Sequence, residues 1–165
     1  MTSSKTSTSS SSSTDRIERS TLINAPVSRV WRALTNAEEF GGWFGVALKG
    51  KNFVAGQQVQ GNITIPGYEH VVFEALVERI EPEKLFSYRW HPYAVDPAVD
   101  YSKEPTTLVE FTLKATDKGT LLSVVESGFD KIPVARRAEA IRMNTGGWEG
   151  QMDNIQNYVT THKNA

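Results

Sequence analysis

An α+β fold is predicted by three observations. A series of short alternating segments is joined by hairpin-length turns, two short helical segments follow the first of them, and about thirty residues of amphipathic helical pattern close the chain. Hairpin-length connections imply antiparallel neighbours. A terminal helix of that length needs a large apolar surface to lie on, because propensity alone would not hold it. The expected architecture is therefore an antiparallel sheet of about six or seven strands with the long C-terminal helix laid across it, and such a helix across a curved sheet can enclose space.

The elements follow in order. Asp15 to Asn24 alternates loosely and reads as the first strand. Pro26 suits an early helical position, where its missing N–H does no harm, with Asn24 placed to cap. Val27, Val30, Trp31 and Leu34 then line one face of a short helix. Asn36 caps a second one through Phe40, and Gly41-Gly42 is expected to stop it. Trp43 to Lys49 reads as a short strand and Gly50-Lys51-Asn52 as a turn. Gln57 to Ile65 alternates, with Val59, Ile63 and Ile65 on one face. Ile65-Pro66-Gly67-Tyr68 matches a type II turn.

Strands are then expected at His70 to Ile80 and at Leu85 to His91, the latter with Phe86, Tyr88 and Trp90 on one face. Pro92 to Pro105 is a loop. Thr106 to Ala115 and Thr120 to Ser127 form a hairpin about Asp117-Lys118-Gly119. The closing helix, Ile132 to His162, carries Ala138, Ile141, Trp148, Met152, Ile155 and Val159 on its apolar face. Arg137, Glu139, Arg142, Glu149, Asp153 and Asn157 lie opposite. Gly146-Gly147 interrupts it at a cost of roughly 1 kcal/mol per glycine. Either they shape a cavity mouth or they allow close packing against the helix pair.

With 165 residues the chain suits one domain and a tail. Residues 2–14 are Ser and Thr except for Lys5, cannot bury apolar area, and are expected to be a disordered tail, residues 1–14, ahead of a single folded domain over 15–162. That tail lacks the apolar core of a secretory signal. A formal net charge of −1 offers no bulk field for nucleic acid or anionic membrane. The absence of cysteine removes disulfides, thiolate nucleophiles and sulfur-based metal sites, and fits a cytoplasmic protein. No apolar run approaches the roughly 20 residues that span a bilayer.

Order and spacing of several motifs carry a family resemblance. They are Ile23-Asn24-Ala25-Pro26-Val27 with Val30-Trp31 and Leu34, the pair Trp43-Phe44, and Val77-Glu78-Arg79-Ile80-Glu81-Pro82-Glu83-Lys84-Leu85 with Tyr88 and Trp90. Glu110-Phe111, Gly119-Thr120 with Leu122, Glu126-Ser127-Gly128-Phe129 and Gly146-Gly147-Trp148 complete the set. The chain resembles the START-like superfamily of helix-grip proteins, shared with birch-pollen allergens and polyketide cyclases, and within it the heat-shock-protein-ninety ATPase activator homologue-like group. The resemblance implies a strongly curved antiparallel sheet wrapped around the C-terminal helix, with an apolar cavity between them that takes lipids, polyketides or aromatic metabolites. Fold alone does not fix function.

Trp43, Phe44, Ile63, Phe73, Trp90, Phe111, Trp148 and Met152 are the candidate lining of that cavity, and the alternative is that they are simply core. Glu126 shares the strand parity of Leu122 and Val124, so it is a candidate general acid or base; the competing reading pairs it with Arg89 or Arg142. His91 is either a cavity-mouth acid or base or a loop-capping histidine. The three histidines have no metal-binding spacing, and no nucleotide-binding fingerprint is present, so neither metal nor cofactor is expected. Binding of a small hydrophobic molecule leads as the functional expectation. A cyclase or hydrolase acting on such a molecule is the alternative, and stimulation of a chaperone ATPase the third. A monomer or weak dimer is expected. Were the chain's own rings to fill the grip with no opening to solvent, carrier and enzyme readings would both lose their basis.

Overall fold

The computed structural model describes residues 15–162, so the expected tail at residues 1–14 lies outside the described residues. The elements are β1 (Arg16–Ile23), α1 (Val27–Thr35), α2 (Ala37–Phe44), β2 (Gln58–Asn62), β3 (Val72–Glu81), β4 (Leu85–Trp90), β5 (Thr107–Thr116), β6 (Gly119–Ser127), a 3-10 turn (Phe129–Lys131) and α3 (Val134–Thr161). The six strands form one antiparallel sheet in the order β1-β6-β5-β4-β3-β2. Tight turns join β3 to β4 and β5 to β6, whereas longer loops join β2 to β3 and β4 to β5. Strands next to each other in sequence pair with each other, except β1 and β2. These two lie on opposite edges, and the α1–α2 pair spans the gap between them. A register shift between Val77 and Arg79 marks a bulge where β3 bends against β4.

Alternation explains the sheet's buried face. Phe73, Ala75 and Val77 of β3, Phe86 and Tyr88 of β4, Val109 and Phe111 of β5, and Leu122 and Val124 of β6 are all buried. α3 closes that face with Trp148, Met152, Ile155 and Val159, at spacings of four, three and four. Its first half buries only Ala140. The expected contribution of Ala138 is not made, since that residue is exposed; the apolar stripe of the first half runs through Ala140 and Ile141.

Three local expectations are corrected. Asn24 does not cap α1: Pro26 occupies the cap position, with its carbonyl accepting from the Arg29 and Val30 N–H groups. Asn36 does cap α2, accepting from the Glu39 N–H at 3.0 Å. Gly41-Gly42 does not end that helix, which runs on through Trp43 and Phe44 to Gly45 at φ 93°. Phe40, Trp43 and Phe44 supply a buried helical face, and that packing outweighs the propensity of two glycines. Residues 43–49 are accordingly not a strand; only Val46 bridges to Ile63.

Gly41 has a tertiary reason to be glycine. A Cβ there would overlap the Val46 carbonyl oxygen, because the chain leaving α2 folds back over it. At Gly42 a Cβ would sit 3.5 Å from the Tyr158 ring, an ordinary contact. Gly41→Ala should therefore destabilise by about 2 kcal/mol, whereas Gly42→Ala should stabilise by roughly 0.5 kcal/mol. Urea denaturation of both variants decides the point, and equal midpoints would refute the close approach.

Candidate functional site

β4, β5 and β6 and the middle of α3 converge on one buried carboxylate. Strand parity turns Glu126 inward beside Val124, with no exposure. Val109 is its partner across the β5–β6 ladder, and Trp90 pairs with Thr107 across β4–β5. Trp90 and Thr107 therefore stand diagonal to it on the same face. Asn144 and Trp148, four apart on α3, project onto the same point from above.

The side chains satisfy the carboxylate completely. One oxygen, Oε1, accepts from the Asn144 amide at 3.0 Å and the Trp148 indole N–H at 2.8 Å. The other, Oε2, accepts from the Trp90 indole N–H at 2.7 Å and the Thr107 hydroxyl at 2.5 Å. Indole N–H groups can only donate, so this donor set suits an acceptor-only group. The anticipated ion pair with Arg89 or Arg142 is not formed. Arg89 binds Glu78 at 2.8 Å and Arg142 lies 3.9 Å from Glu139. Both arginines are exposed on outward positions, whereas Glu126 faces the core, so strand and helix parity keep them apart.

Beneath this cluster lies Tyr88, fully buried, its hydroxyl without a hydrogen-bond partner among the described residues. Burial, and then the negative charge of Glu126, push its phenol well above the usual range, so it stays neutral.

Around the carboxylate the interior is filled with rings. Phe40 touches Trp43, Phe44, Phe53, Phe73 and Tyr88 at centroid distances of 4.8–6.4 Å. Phe111 meets Trp148 edge to face at 5.7 Å. Trp43 is tied to α1 by its indole N–H, which donates to the Ala33 carbonyl at 2.8 Å. Of the sequence-predicted lining, Trp43, Phe73, Phe111 and Met152 thus belong to the packed core, and Ile63 is partly buried beside it.

Phe44 and Trp148 are core residues too, with Trp90 packed against them, but these three have a further role. Together with Asn144, Gly147 and Gln151 they line an opening of about 80 Å³ at the middle of α3. The rings fill most of the grip, but this mouth leads from solvent to three of the four residues that hold Glu126. Asn144 and Gln151 were missed in the sequence. Their signal was spacing alone, four before and three after Trp148, and polar residues on a helix usually mean solvent.

The glycines beside the opening are not there for packing. A Cβ added at Gly146 or Gly147 would meet nothing within 4 Å, so close approach to the helix pair does not explain them. Both remain helical. N-terminal to them, α3 rests on the loop after β4. Arg136 reaches Glu104 at 2.7 Å and the Pro92 carbonyl at 2.7 Å, and its guanidinium stacks 4.8 Å from the Tyr101 ring. His91 is within 3.0 Å of the Glu104 carbonyl, in the loop-tying position rather than on the opening. Among the described residues no cluster of His, Asp and Glu is arranged to hold a metal ion.

Comparison with known proteins places these features in context. The model of a family described as "Activator of Hsp90 ATPase homolog 1-like protein" matches residues 24–160. A search of curated proteins finds no match. Among solved structures, protein MLL2253 from Mesorhizobium loti aligns with a TM-score of 0.67 at 24% identity, over 89% of this chain and 98% of that one. Protein NE0264 from Nitrosomonas europaea aligns with a TM-score of 0.68 at 18% identity, over 92% and 98%. DynU16, a protein of the dynemicin biosynthetic locus, aligns with a TM-score of 0.67 at 22% identity over 89% of this chain, which spans 48% of DynU16's length. At these identities the likeness is one of fold.

Proposed function

Because the chain belongs to the activator of Hsp90 ATPase homolog 1-like family, whose fold is compatible with ligand binding, we propose that it binds a small hydrophobic molecule between the sheet and α3. The observation that carries this reading is the ring-lined opening above a buried, fully satisfied carboxylate. Apolar walls with a few converging polar groups are the usual composition of a small-molecule site. Trp90, Trp148 and Phe44 supply the walls, and Asn144 and Gln151 the polar rim.

Size limits the guest. Drug-sized ligands occupy pockets of roughly 300–1,000 Å³, well above the 80 Å³ found here. A single ring or a short chain fits with little adjustment. A lipid or polyketide requires the first half of α3 to lift. That half buries one residue, Ala140, against four in the second, and Gly146-Gly147 lies between them. Glycine is the residue type that most readily permits such bending.

Tryptophan emission tests the proposal, since Trp90 and Trp148 flank the opening. Titration with single-ring aromatics should give a saturable change, and Gly147→Leu, which fills the mouth, should abolish it. Absence of saturation for single-ring and long-chain ligands alike at about 1 mM would overturn ligand binding here. Gly146→Ala and Gly147→Ala should each stabilise the helix by roughly 0.5–1 kcal/mol while slowing uptake of any long-chain ligand. Unchanged uptake would exclude bending at that point.

The alternative of cyclase or hydrolase chemistry would need Glu126 to reach a substrate proton. At least one of its four donors would have to be displaced first and the others would still hold it, which favours binding over catalysis by this group. The chaperone-directed activity in the family's description finds no favouring observation among the described residues.

A further inference from the structure

Glu126 carries a charge for which the described residues supply no cation. Arg89 is engaged by Glu78, Arg136 by Glu104, and Arg142 by its helix neighbour Glu139. A buried carboxylate balanced only by neutral donors leaves a strongly negative spot beneath the opening. The walls of the opening include three aromatic rings in mutual contact. Trp90 and Trp148 lie 5.8 Å apart at 34°, and Phe44 is 6.1 Å and 6.2 Å from them. Three rings around a cleft, with a carboxylate at its base, are the elements from which sites for organic cations are built.

One contact can give way. Of the four donors on Glu126, the two indoles are fixed by packing and the Thr107 hydroxyl is fully buried. Asn144 is only partly buried, sits on the rim, and donates to Oε1. Rotating its amide outward uncovers that oxygen from the side of the opening. An incoming N–H of an ammonium would then replace a neutral donor by a charged one, a stronger bond.

The geometry points to a protonated amine on a small apolar body as the ligand class, its ammonium on Glu126 Oε1 and its body in the opening lined by Phe44, Trp90 and Trp148. This rests on the ligand-binding reading above and narrows it.

Benzylamine, protonated at neutral pH, and benzyl alcohol, its uncharged counterpart, are the probes, followed by tryptophan emission and by thermal shift. The amine should bind on the order of tenfold more tightly. Asn144→Ala, which frees Oε1, should raise the affinity for the amine several-fold relative to that for the alcohol. Glu126→Gln, studied at low temperature because it weakens the fold, should erase the preference while keeping alcohol binding. Equal affinities for the two probes in the wild type, or an Asn144→Ala variant that improves both alike, would overturn the cation assignment while ligand binding stands. Failure of both probes, and of neutral single-ring aromatics, would overturn both readings together.

Discussion

Glu126→Gln should lower the unfolding free energy by about 3 kcal/mol although it changes one atom. The carboxylate accepts from Trp90, Thr107, Asn144 and Trp148. Glutamine offers one carbonyl oxygen and an amide that can only donate. Whichever way it turns, donors on one side face another donor, and those buried N–H or O–H groups lose their acceptor. Each such loss costs roughly 1–3 kcal/mol. The effect should exceed that of Thr107→Val, which removes one donor and leaves the charge with three. Urea denaturation of the two variants gives the comparison. A Glu126→Gln protein within about 0.5 kcal/mol of the wild type would show that the four bonds do not hold the carboxylate as described.

Trp148→Ala should cost about 3–5 kcal/mol and be partly repaired by added indole. Trp148 is 3% exposed, contacts Phe44, Trp90 and Phe111, and donates to Glu126. Truncation leaves a ring-shaped void that joins the existing opening, so an added ring has a way in. Indole restores both the packing and the N–H donor. Benzofuran has nearly the same shape but no N–H. At a tenfold excess over its Kd a ligand stabilises by about 1.4 kcal/mol, so indole should raise the melting temperature more than benzofuran at equal concentration. Equal shifts would show that the indole N–H bond to Glu126 is energetically neutral. No shift with either would show that the void collapses.

Strand positions were legible because alternation and turn residues are local. The β5–β6 hairpin about Asp117-Lys118-Gly119 and the turn at Ile65 to Tyr68, closed by a 2.9 Å bond from the Tyr68 N–H to the Ile65 carbonyl, follow from short stretches of chain. The long helix was legible from its period. Where local signals misled, a distant group had overridden them. Gly41-Gly42 resembled a stop because two glycines weaken a helix, yet Gly41 is required by the Val46 carbonyl passing over it. Ala138 looked equivalent to Ala140 in composition, yet the former is exposed and the latter buried, a difference set by what the helix packs against.

The candidate site was half legible. Parity alone identified Glu126 as inward-facing, and the aromatic residues Phe44, Trp90 and Trp148 were identified by type. Their division into core and mouth was not, since buried rings at the same period serve either purpose.

By itself the sequence determined the α+β class, the antiparallel hairpins, the terminal helix and the inward placement of one acid among apolar residues, because each depends on neighbours a few positions apart. Only the tertiary structure decided that this acid would be held by two indoles, an amide and a hydroxyl, 18 to 36 residues away along the chain. It likewise decided that a small mouth would open beside Gly147, next to an interior packed with rings. Hydrogen-bond partners and voids are set by how whole elements meet, and no local period encodes that angle.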